Sequence, residues 1–387
     1  IKKVIDTLID GRFTDGGEKT ELFGDICDAF DKANEAGTAT VTLYKDITDS
    51  ESTRDVTVMG NVTLELNGKT LGGRRGIVRI SVSDGGTLTV NGDGDMDTPI
   101  YVNENSKLVI NGGGYFNSVS VKKGGNAEIG GGTIRGLSVR GNVKLSGGKF
   151  NDIEILNGNL ESVLADGYAY KKDGGAWLSI AERAKEKYYS WNNEDKPVSV
   201  EEAPIKSATL STEINQLYRN SNANPTLKFN LALAHGSNLN DSYVSKRYGI
   251  NSYVSGDIIY SSLSALVKDA KLSADEIIDK AGNSVAAKIY FVVITDDGYE
   301  IKSNTVSIDL VDCDHSQVVD PTADKETAGN ITEPTYCEIC ESKFNAKITK
   351  GDDVKYYNDL DEAAKDAQKS ENEGCTLYPL YNKNGYG

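Results

Sequence analysis

Residues 100–150 read IYVNENSKLVINGGGYFNSVSVKKGGNAEIGGGTIRGLSVRGNVKLSGGKF, and two sets of short apolar triplets alternate through them. One set is Ile100-Tyr101-Val102, Val119-Ser120-Val121 and Leu137-Ser138-Val139; the other is Leu108-Val109-Ile110, Ala127-Glu128-Ile129 and Val143-Lys144-Leu145. Side chains alternate across a strand, so each triplet sends its outer residues to one face and its middle residue to the other. Working outward, the first set extends to Val56-Thr57-Val58, Ile80-Ser81-Val82 and Ile153-Glu154-Ile155, the second to Leu64-Glu65-Leu66 and Leu88-Thr89-Val90. Successive members of the first set lie 24, 20, 19, 18 and 16 residues apart. A self-similar period near twenty residues predicts a solenoid. A leucine-rich repeat would carry a Leu-rich or helical convex segment, whereas the spacers here are glycine-rich, as in Gly112-Gly113-Gly114 and Gly130-Gly131-Gly132. The expectation is a right-handed parallel β-helix over residues 46–180, with Phe116, Ile134 and Phe150 filling its interior.

A solenoid needs closed ends, because an open coil exposes apolar interior and unpaired strand edges. Residues 1–45 read as the first cap: Phe23, Ile26, Phe30 and Ala33 fall at helical spacing, followed by the strand Val41-Thr42-Leu43. Leu160 to Leu178 reads as the closure of the other end. A gap-free shift of 334 residues sets Phe23 on Tyr357, Ile26 on Leu360, Ala29 on Ala363, Ala33 on Ala367, and Val41-Thr42-Leu43-Tyr44 on Cys375-Thr376-Leu377-Tyr378. Residues 349–387 are therefore expected to begin a second β-helix unit, cut short.

Between these lie three further segments. Residues 181–205 are charged and read as a linker. Residues 206–311 carry runs such as Thr226 to Leu231 and Lys288 to Ile294, with Asp296-Asp297-Gly298 as a hairpin turn before Glu300 to Leu310. An Ig-like β-sandwich is expected there, with a helical insertion over Ser273 to Ala281 and polar loops over Gly236 to Asp257. Tyr243, Tyr248, Tyr253 and Tyr260 would give those loops amphipathic contact surface. Residues 312–348 form a small Cys/His knuckle, so the fold class is all-β throughout.

Composition narrows the function. Lys and Arg number 42 against 58 Asp and Glu, a net charge of −16, which disfavours nucleic acid and anionic membrane as partners. Only two His are present, so the commonest general base is scarce. No apolar run reaches the ~20 residues of a membrane span, and Ile1 to Asp10 has neither the basic region nor the cleavage site of a signal peptide.

Cys313, His315, Cys337 and Cys340 form Cys-x-His and Cys-x-x-Cys pairs, four donors of the types that close a tetrahedral structural zinc site. The intervening segment is polar and contains Pro321, Gly329 and Pro334, so metal would supply folding energy that a core does not. The alternative is a disulfide among the three cysteines with a spare thiol, which an oxidising compartment favours. Cys27 and Cys375 read as small buried apolar residues. Asp93, Asp95, Asp97 and Glu104 sit at calcium-loop spacing, but Thr98 holds the place of the required Gly, so a solvated corner is expected. Arg74-Arg75 would bind an acidic sugar or pair with a neighbouring coil. Outward triplet positions are mainly Thr, Ser, Tyr and isolated Glu, not the paired carboxylates of a glycosidase or the basic proton abstractor of a lyase.

The coils, the closing phrase Leu160-Glu161-Ser162-Val163-Leu164-Ala165-Asp166-Gly167-Tyr168-Ala169-Tyr170, the Ig-like region and the Cys313 to Cys340 knuckle together resemble repeat-bearing surface proteins of Gram-positive Firmicutes, whose pectate-lyase-like solenoids lack lyase residues. The resemblance implies a secreted, non-catalytic stalk or adhesin at the bacterial cell surface that contacts host glycan, mucin or immunoglobulin. It transfers no ligand residue, because its motifs are architectural. The competing reading is a carbohydrate-active β-helix enzyme, a polysaccharide lyase or glycoside hydrolase.

Overall fold

The computed structural model describes residues 11–15, 19–49, 54–75, 79–173, 175–190, 197–219, 225–234, 239, 243–268, 272–320 and 335–380. They divide into two compact units: residues 1–207, 231–244 and 293–302, and residues 208–230, 245–292 and 303–387.

The first unit opens with a hairpin of β1 (Gly11–Asp15) and β2 (Lys19–Phe23), then α1 (Ile26–Ala36) and β3 (Thr38–Leu43). Asp25 caps α1 by accepting the Cys27 N–H at 2.8 Å, and Gly37 ends it with φ of 75°. Ile26, Ala29, Phe30 and Ala33 form its buried face, and Cys27 is buried beside them. Fourteen strands follow: β4 (Ile47–Asp49), β5 (Asp55–Val58), β6 (Asn61–Glu65), β7 (Thr70–Arg75), β8 (Arg79–Val82), β9 (Thr87–Asn91), β10 (Asp95–Met96), β11 (Ile100–Val102), β12 (Lys107–Ile110), β13 (Tyr115–Val121), β14 (Asn126–Ile129), β15 (Thr133–Val139), β16 (Asn142–Leu145) and β17 (Lys149–Ile155).

These strands build a parallel β-helix of about five turns. In one sheet β3, β6, β9, β12, β14 and β16 stack in parallel register, aligning Val41, Leu64, Val90, Ile110, Ile129 and Leu145 as one buried column. In the other sheet Val56, Ile80, Ile100, Val119, Leu137 and Ile153 form a second column. A third runs Ile47, Leu71, Met96, Phe116, Ile134 and Phe150, each within 4 % of complete burial. The apolar triplets of the sequence are thus the rungs of these ladders, and burying their side chains is the main source of stability.

The shrinking period has a structural cause. In the early coils the second sheet uses two separate strands joined by a corner, β7 then β8, or β10 then β11. From β13 onward the corner is gone and one seven-residue strand serves both columns, with a break in its alternation at Asn117-Ser118. Close backbone approach elsewhere fixes glycine: a Cβ on Gly114 would lie 1.3 Å from the carbonyl oxygen of Gly94 in the coil before.

Beyond β17 come a 3₁₀ turn (Leu160–Val163), β18 (Tyr168–Lys172), α2 (Ile180–Lys185), β19 (Tyr188–Ser190) and β20 (Val198–Glu202). Both β19 and β20 pair antiparallel with β17, and β20 also pairs with β18. Within residues 181–205, expected to be a linker, β19 and β20 therefore pair onto the solenoid end, while residues 191–196 lie outside the described residues; Val198 and Val200 are buried, and two apolar positions are too short a pattern to announce a strand. Leu160, Val163 and Tyr170 seal the interior, the Tyr170 hydroxyl donating to the Leu160 carbonyl at 3.2 Å.

Residues 206–311 contain β21 (Ile205–Thr212), β22 (Gln216–Tyr218), β23 (Leu227–Leu233), β24 (Val244–Ile250), β25 (Tyr253–Val254), β26 (Ile258–Tyr260), α3 (Leu263–Lys268), α4 (Ala274–Ala281), β27 (Ala286–Thr295), β28 (Glu300–Lys302) and β29 (Val306–Val311). β21 pairs with β23, and the other seven strands form one sheet in which β22 runs parallel to β29. The expected helix is α4, started by the Ser273 hydroxyl, and the expected Asp296-Asp297-Gly298 turn joins β27 to β28. Segments 231–244 and 293–302 fall in the first compact unit, and residues 208–230, 245–292 and 303–311 in the second. The stretch expected to be loops contributes β24 and β25, while residues 235–238 and 240–242 lie outside the described residues. Of the four tyrosines there, Tyr243 is 68 % exposed, whereas Tyr248 and Tyr260 are buried.

The chain continues with β30 (Val318–Val319), β31 (Thr335–Cys337) and β32 (Lys343–Phe344), which form a three-stranded sheet. It ends with β33 (Ala346–Lys350), β34 (Asp353–Tyr357), α5 (Leu360–Ala367) and β35 (Thr376–Pro379). Among the described residues no helix is long and apolar enough to cross a membrane.

Candidate metal centre

Two backbone turns bring the Cys and His residues together. After β29 the chain places Cys313 and, two residues on, His315 in the left-handed region with φ of 50°. After β31 the turn Cys337-Glu338-Ile339-Cys340 closes through the Glu341 N–H on the Cys337 carbonyl at 2.9 Å, with Glu341 left-handed at φ of 57°. The pairing of β30 with β31 sets Val318 opposite Cys337 and so joins the two turns.

One ligand atom from each of Cys313, His315, Cys337 and Cys340 lies within 4.8 Å of all the others. Cys313 Sγ is 3.7 Å from Cys337 Sγ, and Cys340 Sγ is 3.5 Å from His315 Nδ1. For a tetrahedral centre with metal–sulfur bonds of about 2.3 Å and metal–nitrogen bonds of about 2.05 Å, geometry requires sulfur pairs ~3.75 Å and sulfur–nitrogen pairs ~3.55 Å apart. The two short contacts meet that requirement. All five cysteines are free thiols, and the 3.7 Å approach is far beyond the ~2.05 Å of a disulfide.

Electrostatics favour a thiolate at one position first. Burial opposes charge on Cys337, but the His315 ring and the backbone N–H groups of Cys340 and Ile339 outweigh it, lowering the thiol to about 7. Burial dominates at Cys313 and raises it to about 12. The surroundings are apolar: the cysteines pack with Phe344 and Leu380, flanked by Tyr218, Val318, Ile339 and Tyr356, and the His315 ring stands edge-on to Phe344 at 5.1 Å. Cys340 Sγ also touches the buried Ser342 hydroxyl at 3.1 Å. Four protein donors can hold one metal ion here, and residues 321–334, which link the two pairs, lie outside the described residues.

An adjoining charged cluster carries no sequence signal. Lys347 Nζ meets Asp320 Oδ2 at 2.6 Å with both side chains almost buried, and the Tyr356 and Thr335 hydroxyls also donate to that carboxylate. These residues come from four separated places in the sequence, and nothing in their local pattern marks them.

The other candidates stay apart. Asp95 accepts the Tyr115 N–H at 2.9 Å within the ladder, and Glu104 occupies a different corner, against Gly124, so the calcium-loop spacing gives no common site. The side chains of Arg74 and Arg75 lie outside the described residues. Cys27 is buried in the first turn of α1, and Cys375 packs beside Ala363 and Ile348.

No protein family and no curated protein matches the chain. Among solved structures it is matched to a cell-surface-expressed multi-modular chitinase from Paenibacillus, at 12 % identity and a TM-score of 0.14, covering 68 % of this chain and 23 % of that one. A likeness at that level fixes neither fold nor activity, and the chain spans under a quarter of the chitinase.

Proposed function

We propose that the chain is a non-catalytic module of an extracellular bacterial surface protein: a stiff β-helix spacer joined to β-rich segments that contact host glycan or protein, with one structural zinc ion in the Cys/His knuckle. The observation that carries the reading is the outward face of the second sheet. Register aligns Thr57, Ser81, Tyr101, Ser120, Ser138 and Glu154 as a single stripe of four small hydroxyls, one ring and one carboxylate. Two carboxylates on or beside it are held by neighbours: Asp55 by Arg79 at 2.6 Å, and Glu154 by the Ser138 hydroxyl at 3.3 Å. On the other sheet Glu128 pairs with Lys107 at 2.7 Å. Carboxylates committed to such contacts brace the coils and are poorly placed to share a proton with a substrate. Zinc suits three thiolates and one imidazole, and four protein donors leave it no open position, which makes the site structural.

The test is an array of host glycans, mucins and immunoglobulins probed with the intact chain, with and without chelator, alongside a reducing-end assay on the same polysaccharides. Saturable binding without release of sugar supports the reading, and turnover of any polysaccharide overturns it.

A further inference from the structure

We infer that residues 345–380 form a second solenoid-starting cap, and that the outer edge of β35 is built to seat one parallel β-helix coil of the kind that β5 and β6 make on β3. None of this rests on the adhesive reading.

The two caps match pair by pair. The strand order is β2-β1-β3 in one and β34-β33-β35 in the other. The first hairpin runs from Gly11 opposite Phe23 to Asp15 opposite Lys19, and the second from Ala346 opposite Tyr357 to Lys350 opposite Asp353. Four antiparallel pairs then set Gly11 on Leu43 through Thr14 on Thr40, and four set Ala346 on Pro379 through Thr349 on Thr376. The capping aspartates also correspond, Asp25 before α1 and Asp359 before α5. The gap-free shift of 334 holds for β34 and the helix start. At β33 the structure moves it by one residue and at β35 by two, so that Leu377, not Cys375, stands where Val41 stands.

In the first cap the outer edge of β3 carries β6, and α1 packs against β5 and β6. Arg54, just before β5, pairs with Asp25 at 3.2 Å and Asp28 at 2.8 Å. Asn34 donates to the Thr57 carbonyl and accepts the Met59 N–H, at 2.6 and 2.9 Å. The second cap keeps this receiving chemistry, with Asp359 and Glu362 for the arginine and Gln368 for the amide. It lacks the cover: Ile26 is 2 % exposed but Leu360 is 44 %, and among the described residues no strand pairs with the outer edge of β35. Pro379 stands where Leu43 stands and has no N–H to give, so a coil seated on β35 does without the ladder bond at that one position. The occupant is therefore a coil in covalent continuity with its cap, alternating apolar residues inward and bringing a basic residue to the two carboxylates.

The experiment appends residues 52–207 of this chain after Gly387, which keeps the spacing from Pro379 equal to that from Leu43 to Ser52. Hydrogen exchange is then followed residue by residue. The Leu377 amide, which points away from β33 and is fast in the parent, is expected to become as slow as that of Val41, with the appended coils protected. Deleting residues 345–380 from the chimera, or combining Asp359→Arg with Glu362→Arg, should remove that protection. Appended coils that fold equally well without the cap would overturn the inference, as would a Leu377 amide that stays fast. Dimerisation of the parent through β35, abolished by Leu377→Pro, would make a second copy the occupant and overturn it equally.

Discussion

Asp297 shows how one residue ties burial to pH. Burial alone would raise its carboxyl, but donors from the Thr295 hydroxyl, the Trp177 indole at 2.8 Å and the Tyr299 backbone hold it below the ordinary carboxylate value. A carboxyl whose folded pKa is depressed contributes stability above its unfolded pKa and loses it as pH falls through the folded value. Acid titration below about pH 4 should therefore destabilise the native protein, and Asp297→Asn should flatten that part of the stability–pH curve. At the knuckle, the purified chain is expected to carry one equivalent of zinc by elemental analysis, and Cys340→Ala should weaken zinc binding by at least about 100-fold. The four donors could be read from the sequence because Cys-x-His and Cys-x-x-Cys are local patterns. The buried Asp320–Lys347 pair could not, since its members meet only after β30, β31 and β33 are in place.

Elements carry the next level of energy. Phe150 is fully buried at the end of its column, so Phe150→Ala should cost about 3–5 kcal/mol in chemical denaturation. Gly114→Ala should cost about 3 kcal/mol although it adds one methyl group, because the Gly94 carbonyl must move. The triplets disclosed both sheets and their register, since a period of two is visible over three residues. The merging of corner and strand at β13 was not visible: Tyr115 to Val121 contains the same triplet with extra residues before it. Nor was the β1–β2 hairpin, whose pairing depends on β3, or the role of Val198 and Val200 in closing the far end.

At the scale of the whole chain, the knuckle cysteines share a core with Leu380, which follows β35, and with Tyr356 of β34. Removing the metal with a chelator should raise hydrogen exchange across β30 to β35 while leaving the β6 to β16 ladder unchanged. An equal effect on both would show that the metal braces the entire molecule. The β-helix itself has a mechanical consequence. Its strands lie across the solenoid axis, so their ladder bonds point along it, and tension on the axis stretches each bond end-on. Coils then peel off singly instead of shearing together. A coil of 18 residues, such as that from Val119 to Leu137, advances the axis by about 4.8 Å but releases about 60 Å of chain when it opens. Under load the solenoid is a row of sacrificial links, lengthening in steps long before its covalent backbone is taut.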